Sequence, residues 1–74
     1  MSDKSRLVSP MPGKVVKINV KAGDTVNEGT IMMVVEAMKM ENNIVAAGTT
    51  KVKKILVAEG QMVDNKMQLL ELES

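Results

Sequence analysis

The residue in this sequence best suited to covalent chemistry is Lys39, which lies near the middle of the chain in the run Glu36-Ala37-Met38-Lys39-Met40-Glu41. A lysine ε-amine attacks an activated carboxyl group only after it loses its proton, which few lysine side chains do at neutral pH. An outside enzyme would therefore have to activate the carboxyl group and remove the proton. The run predicts an acceptor lysine for a modifying enzyme.

The side chains next to Lys39 indicate a surface made for recognition. Met38 and Met40 flank a charged residue, and thioethers exposed at such a position add apolar surface without any gain in packing. Inward packing of both methionines is the alternative. Glu36 is either a solvated carboxylate at a strand end or part of the recognition surface, and Glu41 is expected to be solvated.

The composition excludes several classes of function. The 74 residues include no Cys, His or aromatic residue, which removes disulfides, thiol and imidazole catalysis, the usual zinc ligands and base-stacking surfaces. The net charge of +1 comes from interspersed signs, so no affinity for nucleic acid or an anionic membrane is expected. Protein partners and no metal are predicted. An enzyme in its own right is the weakest alternative, because so small a chain leaves little volume for a substrate pocket.

Two similar halves organise the chain. Residues 20–26 and 57–63 both have the pattern Val-x-x-Gly-x-x-Val, and Gly23 falls on Gly60 at an offset of 60 − 23 = 37 residues. Such a repeat predicts two similar units that pack face to face. A chain of this length has room for one core, so we expect a single domain over residues 1–74, with 1–5 as a disordered lead and 6–73 as the core.

Hydrophobic alternation predicts strands. Apolar and polar residues alternate over 16–21 and again over 52–57, which is the period of a strand with one wet face. A helix over 31–42 is the competing assignment, but its repeat partner, 67–73, is too short to be a helix on its own. Eight short strands predict an all-β flattened barrel or sandwich, with Lys39 at a hairpin tip where the halves join. The strands are expected near 6–9, 14–21, 24–26, 31–36, 41–46, 51–58, 61–63 and 68–73.

Special backbone positions predict the turns. The two repeat glycines and Gly29 stand where tight turns need a positive φ. Pro12-Gly13 is expected to form the centre of a type II turn, with Gly13 at the positive φ. Lys66 stands where the repeat has Gly29, so the neighbouring Asn65 is expected to take the left-handed conformation in the second half.

The tetrapeptide Ala37-Met38-Lys39-Met40, with a glutamate on each side, resembles the biotinylation motif of biotin carboxyl carrier domains. The similarity covers nearly the whole chain and follows the family's order. Its other segments are Ser9-Pro10-Met11-Pro12-Gly13, Val20-Lys21-Ala22-Gly23-Asp24-Thr25-Val26, and Val52-Lys53-Lys54-Ile55 with Glu59-Gly60.

This resemblance implies two four-stranded antiparallel sheets related by a pseudo-two-fold axis, with Lys39 exposed between the fourth and fifth strands. It implies that a biotin protein ligase joins biotin to Lys39 by an amide, and that Glu36, Ala37, Met38 and Met40 help partners recognise the turn. The domain would carry carboxybiotin between a biotin carboxylase and a carboxyltransferase or decarboxylase. It would be a non-catalytic carrier domain or subunit, because the chemistry is the cofactor's.

Two alternatives share the expected fold. A lipoyl carrier domain also modifies a hairpin lysine, but that family has Asp and Ala where this chain has Met38 and Met40. A structural module similar to those of membrane-fusion adaptors would carry no modification. The tight turn within 20–24 leaves no room for the thumb of bacterial acetyl-CoA carboxylase carriers, so the chain is more similar to thumbless carboxylase domains. The polar first residues and short apolar runs favour the cytoplasm or mitochondrial matrix.

Overall fold

Eight short strands are the regular structure of residues 6–73, the part of the chain that the computed structural model describes. They are β1 (Arg6–Val8), β2 (Gly13–Ile18), β3 (Thr25–Val26), β4 (Ile31–Ala37), β5 (Met40–Val45), β6 (Thr50–Ile55), β7 (Met62–Val63) and β8 (Gln68–Leu72). All eight predicted strands are therefore present, and the competing helix over 31–42 is wrong. The expected disordered lead, 1–5, lies outside the described residues.

The strands form two four-stranded antiparallel sheets, with the orders β1-β8-β6-β3 and β5-β4-β2-β7. The strands β1 to β4 of the first half correspond to β5 to β8 of the second half. When each strand is replaced by its counterpart, the strand order of one sheet becomes that of the other. This exchange confirms the pseudo-two-fold symmetry that the repeat predicted. Both sheets draw strands from both halves, so neither half is complete without the other.

The turns after β2 and β6 connect the two halves. Gly23 N–H donates to Val52 O at 2.8 Å, and Val52 N–H donates to Asp24 O at 2.8 Å. Both repeat glycines have positive φ, as predicted. These turns also explain why β2 and β6 end at Ile18 and Ile55, before the predicted 21 and 58: the chain leaves the sheet early to form them. The second turn makes the matching bonds among Gly60, Val15 and Gln61, at 2.6 and 2.9 Å.

The core between the sheets is aliphatic and contains methionine. The central strands β4 and β8 bury consecutive side chains, which are Met32, Met33 and Val34 on β4 and Leu69 with Leu70 on β8. The pairing register skips Met32 on β4 and Leu69 on β8, which lets consecutive residues face the core where regular alternation would send one outward. The other fully buried apolar side chains are Val15, Val26, Val35 and Val52.

The predicted type II turn at Pro12-Gly13 is wrong. Gly13 is the first residue of β2, and its φ is not positive. A Cβ on Gly13 would lie 2.5 Å from Glu36 O and 2.8 Å from Val35 Cγ1. Glycine is needed here because β2 approaches the end of β4 too closely for any side chain, and this contact positions the β4–β5 hairpin.

The predicted left-handed Asn65 is also wrong, because Lys66 takes that conformation with a φ of 66°. Gly29, its repeat counterpart, has a φ of 86°. The backbone bonds around the turn set this position: Lys66 N–H donates to Ser9 O at 2.8 Å and Met67 N–H donates to Asp64 O at 3.1 Å. The symmetry of the fold therefore overrides the preference of the residue type.

Lys66→Gly is expected to raise the free energy of unfolding by about 0.5–1 kcal/mol, because glycine removes the Cβ strain of a left-handed residue but adds freedom to the unfolded chain. Urea denaturation of both proteins measures the change. Asn65→Gly is the matched control, since Asn65 has no positive φ, and it should give no stabilisation. Equal effects of the two substitutions would contradict the assignment of strain to Lys66.

Candidate functional site

The β4–β5 hairpin ends in a two-residue turn made by Met38 and Lys39. Ala37 and Met40 are the last register pair, and the φ angles of the turn residues are 53° and 67°. Two positive φ values are typical of a type I′ turn, which suits the twist of paired strands but favours Asn and Gly. Each non-glycine residue there costs about 1–2 kcal/mol. The turn therefore contains two residues that are unfavourable in its backbone conformation. Backbone strain of this kind is concentrated at functional sites.

The turn places its side chains in solvent. Met38 is 92% exposed and Met40 is 66% exposed, and Lys39 between them is exposed as well. The alternative in which both methionines pack inward is therefore wrong. The Lys39 amine stands at the tip of the hairpin between two exposed thioethers, where another protein can reach it.

A row of four exposed side chains crosses the sheet below the turn. Register pairs place Met62 beside Lys14, Lys14 beside Glu36, and Glu36 beside Glu41, so the row runs from β7 to β5. Lys14 offsets the repulsion expected between the two neighbouring carboxylates. We call Met62, Lys14, Glu36 and Glu41 the hairpin row.

Two residues hold the hairpin from within. Ala37 is buried, at 6% exposure, so this recognition candidate can shape the turn but offers little surface to a partner. Asn42 Nδ2 donates to Val35 O at 3.4 Å and to Met40 O at 3.2 Å, which braces β5 against β4 below the turn. The sequence analysis did not predict a role for Asn42. An asparagine inside a strand, where this residue type is disfavoured, could have indicated one.

An open cleft of about 480 Å³ lies on one side of the hairpin. Residues 36–39 form one wall, and residues 12–14 with Met62 form the rest. We call this depression the hairpin cleft. The cleft opens to solvent and lies on the surface, outside the core between the sheets.

The surroundings of Lys39 offer a nucleophile but no catalytic apparatus. Within residues 6–73 no group of three or more His, Cys, Asp or Glu side chains could hold a metal ion. The same part of the chain has no helix long and apolar enough to span a membrane. The site can present an amine for modification, and the activation must come from another protein.

Similarity to known proteins agrees with this geometry. The sequence profile of the family described as "Biotin-requiring enzyme" matches residues 5–72. The alpha chain of mitochondrial propionyl-CoA carboxylase from Sus scrofa is 49% identical over 69 residues, which are 93% of this chain and 10% of that one. The biotin carboxyl carrier protein of Streptococcus mutans is 46% identical over 63 residues, 85% of this chain and 48% of that protein.

Among solved structures, the lipoyl domain of the 2-oxoglutarate dehydrogenase complex from Azotobacter vinelandii superposes with a TM-score of 0.83 and 20% identity. The superposition covers 93% of this chain and 95% of that domain, and at this identity it supports the fold alone. The profile match and the curated relatives carry the assignment. The chain belongs to the biotin-requiring enzyme family, and within that family it is a biotinyl (biotin carboxyl carrier) domain.

Proposed function

We propose that Lys39 is the covalent attachment point for biotin and that the domain carries the cofactor between the active sites of a carboxylase or decarboxylase. The observation that carries this proposal is the exposed Lys39 amine at the tip of a strained two-residue turn, between two exposed methionines. The site suits the group, since nothing encloses the amine and a long acyl chain can extend from it. Biotin held there would supply the carboxyl-carrying chemistry, with a carboxyl group gained at one active site and given up at another.

The chain's own residues present and orient the amine. A biotin protein ligase would first activate the carboxyl group of biotin with ATP, as a mixed anhydride with AMP. Deprotonated Lys39 Nζ would then attack the carboxyl carbon, so that the C–N bond of the amide forms, the C–O bond to AMP breaks, and AMP leaves as the remaining amine proton passes to a base of the ligase. Gly13 and Asn42 hold the base of the hairpin, so the amine projects from a rigid support. Covalent attachment keeps biotin at a high local concentration at each active site, without any binding by this domain alone.

The ligase and the carboxylase subunits are the proposed partners, and they meet the same hairpin. Met38 and Met40 offer apolar contact, Glu36 offers charge, and the small buried Ala37 keeps the turn compact. The chain spans 10% of the propionyl-CoA carboxylase chain and 48% of the carrier protein that it matches. We propose that it acts as a domain or subunit of a larger carboxylase, with biotin carboxylase and carboxyltransferase as the units that it visits.

The names of the relatives suggest two compartments for this domain. One relative is named as mitochondrial and another is a bacterial carrier protein. We propose that the domain works in the mitochondrial matrix or the cytoplasm.

Transfer of labelled carboxyl groups tests the carrier function. The biotinylated domain is incubated with the biotin carboxylase of an acyl-CoA carboxylase, ATP and ¹⁴C-bicarbonate, and label should appear on the domain. Addition of the carboxyltransferase and its acyl-CoA should move the label to the acyl-CoA. The domain without biotin is the control. A biotinylated domain that takes up no label from any biotin carboxylase tested would contradict the proposal.

Met38→Asn is expected to stabilise the domain and, at the same time, to weaken its recognition by the ligase. Asparagine tolerates the left-handed conformation, so the free energy of unfolding should rise by about 0.5–1 kcal/mol. Loss of the exposed thioether should lower the ligase's kcat/KM by about tenfold, which corresponds to about 1.4 kcal/mol. Urea denaturation and a ligation time course measure the two effects.

Met67→Asn is the matched control, because Met67 is a partly exposed methionine in a turn remote in sequence from the hairpin. It should leave the ligation rate unchanged. Equal ligation rates for Met38→Asn and the unaltered domain would remove Met38 from the recognition surface.

A further inference from the structure

The hairpin cleft is an open depression with room for a small molecule, and Lys39 forms part of its wall. Its volume of about 480 Å³ falls within the range of ligand pockets in proteins. Pro12 and Met62 supply apolar surface, and Lys14 and Glu36 supply charge. Lys14 and Glu36 are register partners on adjacent strands, so a basic and an acidic side chain leave neighbouring backbone positions at the cleft.

We propose that the bicyclic ring of biotin attached to Lys39 folds back and rests in the hairpin cleft. This inference rests on the proposed attachment at Lys39. The ureido group of the ring has N–H donors and a carbonyl acceptor, which match the Glu36 carboxylate and the Lys14 ammonium. The thioether side of the ring contacts Met62, since sulfur and methylene groups pack well against a flexible methionine.

The tether selects this occupant over others. A ring joined to the wall of the cleft has an effective concentration near 1 mM, so a site with a Kd of about 1 mM is half filled. Free biotin at cellular levels would leave such a weak site empty. Weak binding in the cleft suits a carrier. A partner active site of moderate affinity can then take up the ring, because little binding free energy is lost when the ring leaves the cleft.

Lys14 gives the cleft a preference between the two forms of the cofactor. A carboxyl group added to the ureido ring carries a negative charge, and the Lys14 ammonium attracts it. The carboxylated ring therefore rests in the hairpin cleft more often than the unmodified ring. Glu36 opposes this attraction, so the preference stays moderate.

Methyl NMR of the biotinylated domain tests the inference. The domain is labelled with ¹³C at the methionine methyl groups, and intact mass establishes complete attachment of one biotin. We expect the Met62 methyl signal to shift on biotinylation, with nuclear Overhauser contacts between that methyl and the ring protons. The Met67 methyl should stay in place.

Lys14→Ala in the biotinylated domain should lose most of the Met62 shift and the contacts to the ring. Lys51→Ala is the matched control, because Lys51 is the repeat counterpart of Lys14 and lies exposed on the other sheet. That variant should keep both signals.

A domain that carries biotin by mass but shows no Met62 shift and no ring contacts overturns the resting site and leaves the carrier function standing. Met62 signals that survive Lys14→Ala unchanged also overturn it, because the proposed polar contact would then be absent. A domain that accepts no biotin overturns the attachment itself, and intact mass distinguishes that failure from the other two.

Discussion

A domain carrying Lys39→Arg is expected to accept no biotin while it keeps its fold. The guanidinium group stays protonated at every pH that a ligase tolerates and does not attack an activated carboxyl group, whereas a lysine amine does once deprotonated. Arginine keeps the positive charge and bears the same Cβ strain at the turn's positive φ. Intact mass after ligation should show no adduct, and the free energy of unfolding should change by no more than about 0.5 kcal/mol.

The control for this substitution is Lys51→Arg, which alters an exposed lysine on the other sheet and should leave one full adduct. Peptide mapping then shows where any residual biotin lies. A biotin adduct on another lysine of the Lys39→Arg domain would contradict the assignment of the site.

Gly13→Ala should destabilise the domain by about 2 kcal/mol and disturb the hairpin from outside it. The added Cβ would lie 2.5 Å from Glu36 O and 2.8 Å from Val35 Cγ1. Both atoms belong to β4, which pairs with β2 and β5, so the clash is relieved only by moving the strand that carries the turn. We therefore expect slower biotin attachment as well as a lower urea midpoint.

Gly48→Ala provides a closely matched control. Gly48 has no positive φ, and a Cβ added there would meet nothing within 4 Å. Its effect on the free energy of unfolding should stay within about 0.5 kcal/mol. If the two alanine variants unfold at the same urea concentration, the close approach of β2 to β4 does not explain why position 13 needs glycine.

Much of the fold follows from the repeat. Once Gly23 is placed on Gly60, the alternation in one half assigns strands in the other, and the helix over 31–42 loses support. The exposure of Met38 and Met40 was predicted from their places on either side of a charged turn residue, and both side chains are in solvent. Local pattern and global symmetry agree at these positions, which makes them predictable.

The two wrong turn predictions, at Gly13 and Asn65, lie where contacts between strands determine the backbone conformation. Gly13 looked like a turn glycine because Pro12 precedes it, but its role depends on Glu36, which is distant in sequence. Asn65 has the better intrinsic tendency for positive φ, yet the turn places Lys66 there. The preference of a single residue for positive φ is about 1 kcal/mol, which is less than the free energy gained when whole strands pair in the correct register.

The neighbours of the hairpin could not be predicted for a related reason. Lys14 and Met62 enter the hairpin row only through the register of β2 with β4 and of β7 with β2. A shift of one residue in either register would send them to the opposite face. The sequence pattern leaves strand ends uncertain by more than that, so the hairpin cleft becomes visible only in the folded chain.

Intact mass of the domain after incubation with a biotin protein ligase, biotin and ATP, followed by mapping of the modified peptide, tests the central claim most directly. The account predicts one biotin adduct, located on Lys39. An unchanged mass on folded protein would contradict it. A lipoyl adduct formed by a lipoate ligase would then identify the lipoyl alternative, and failure of both ligases would favour a structural module without a modified lysine.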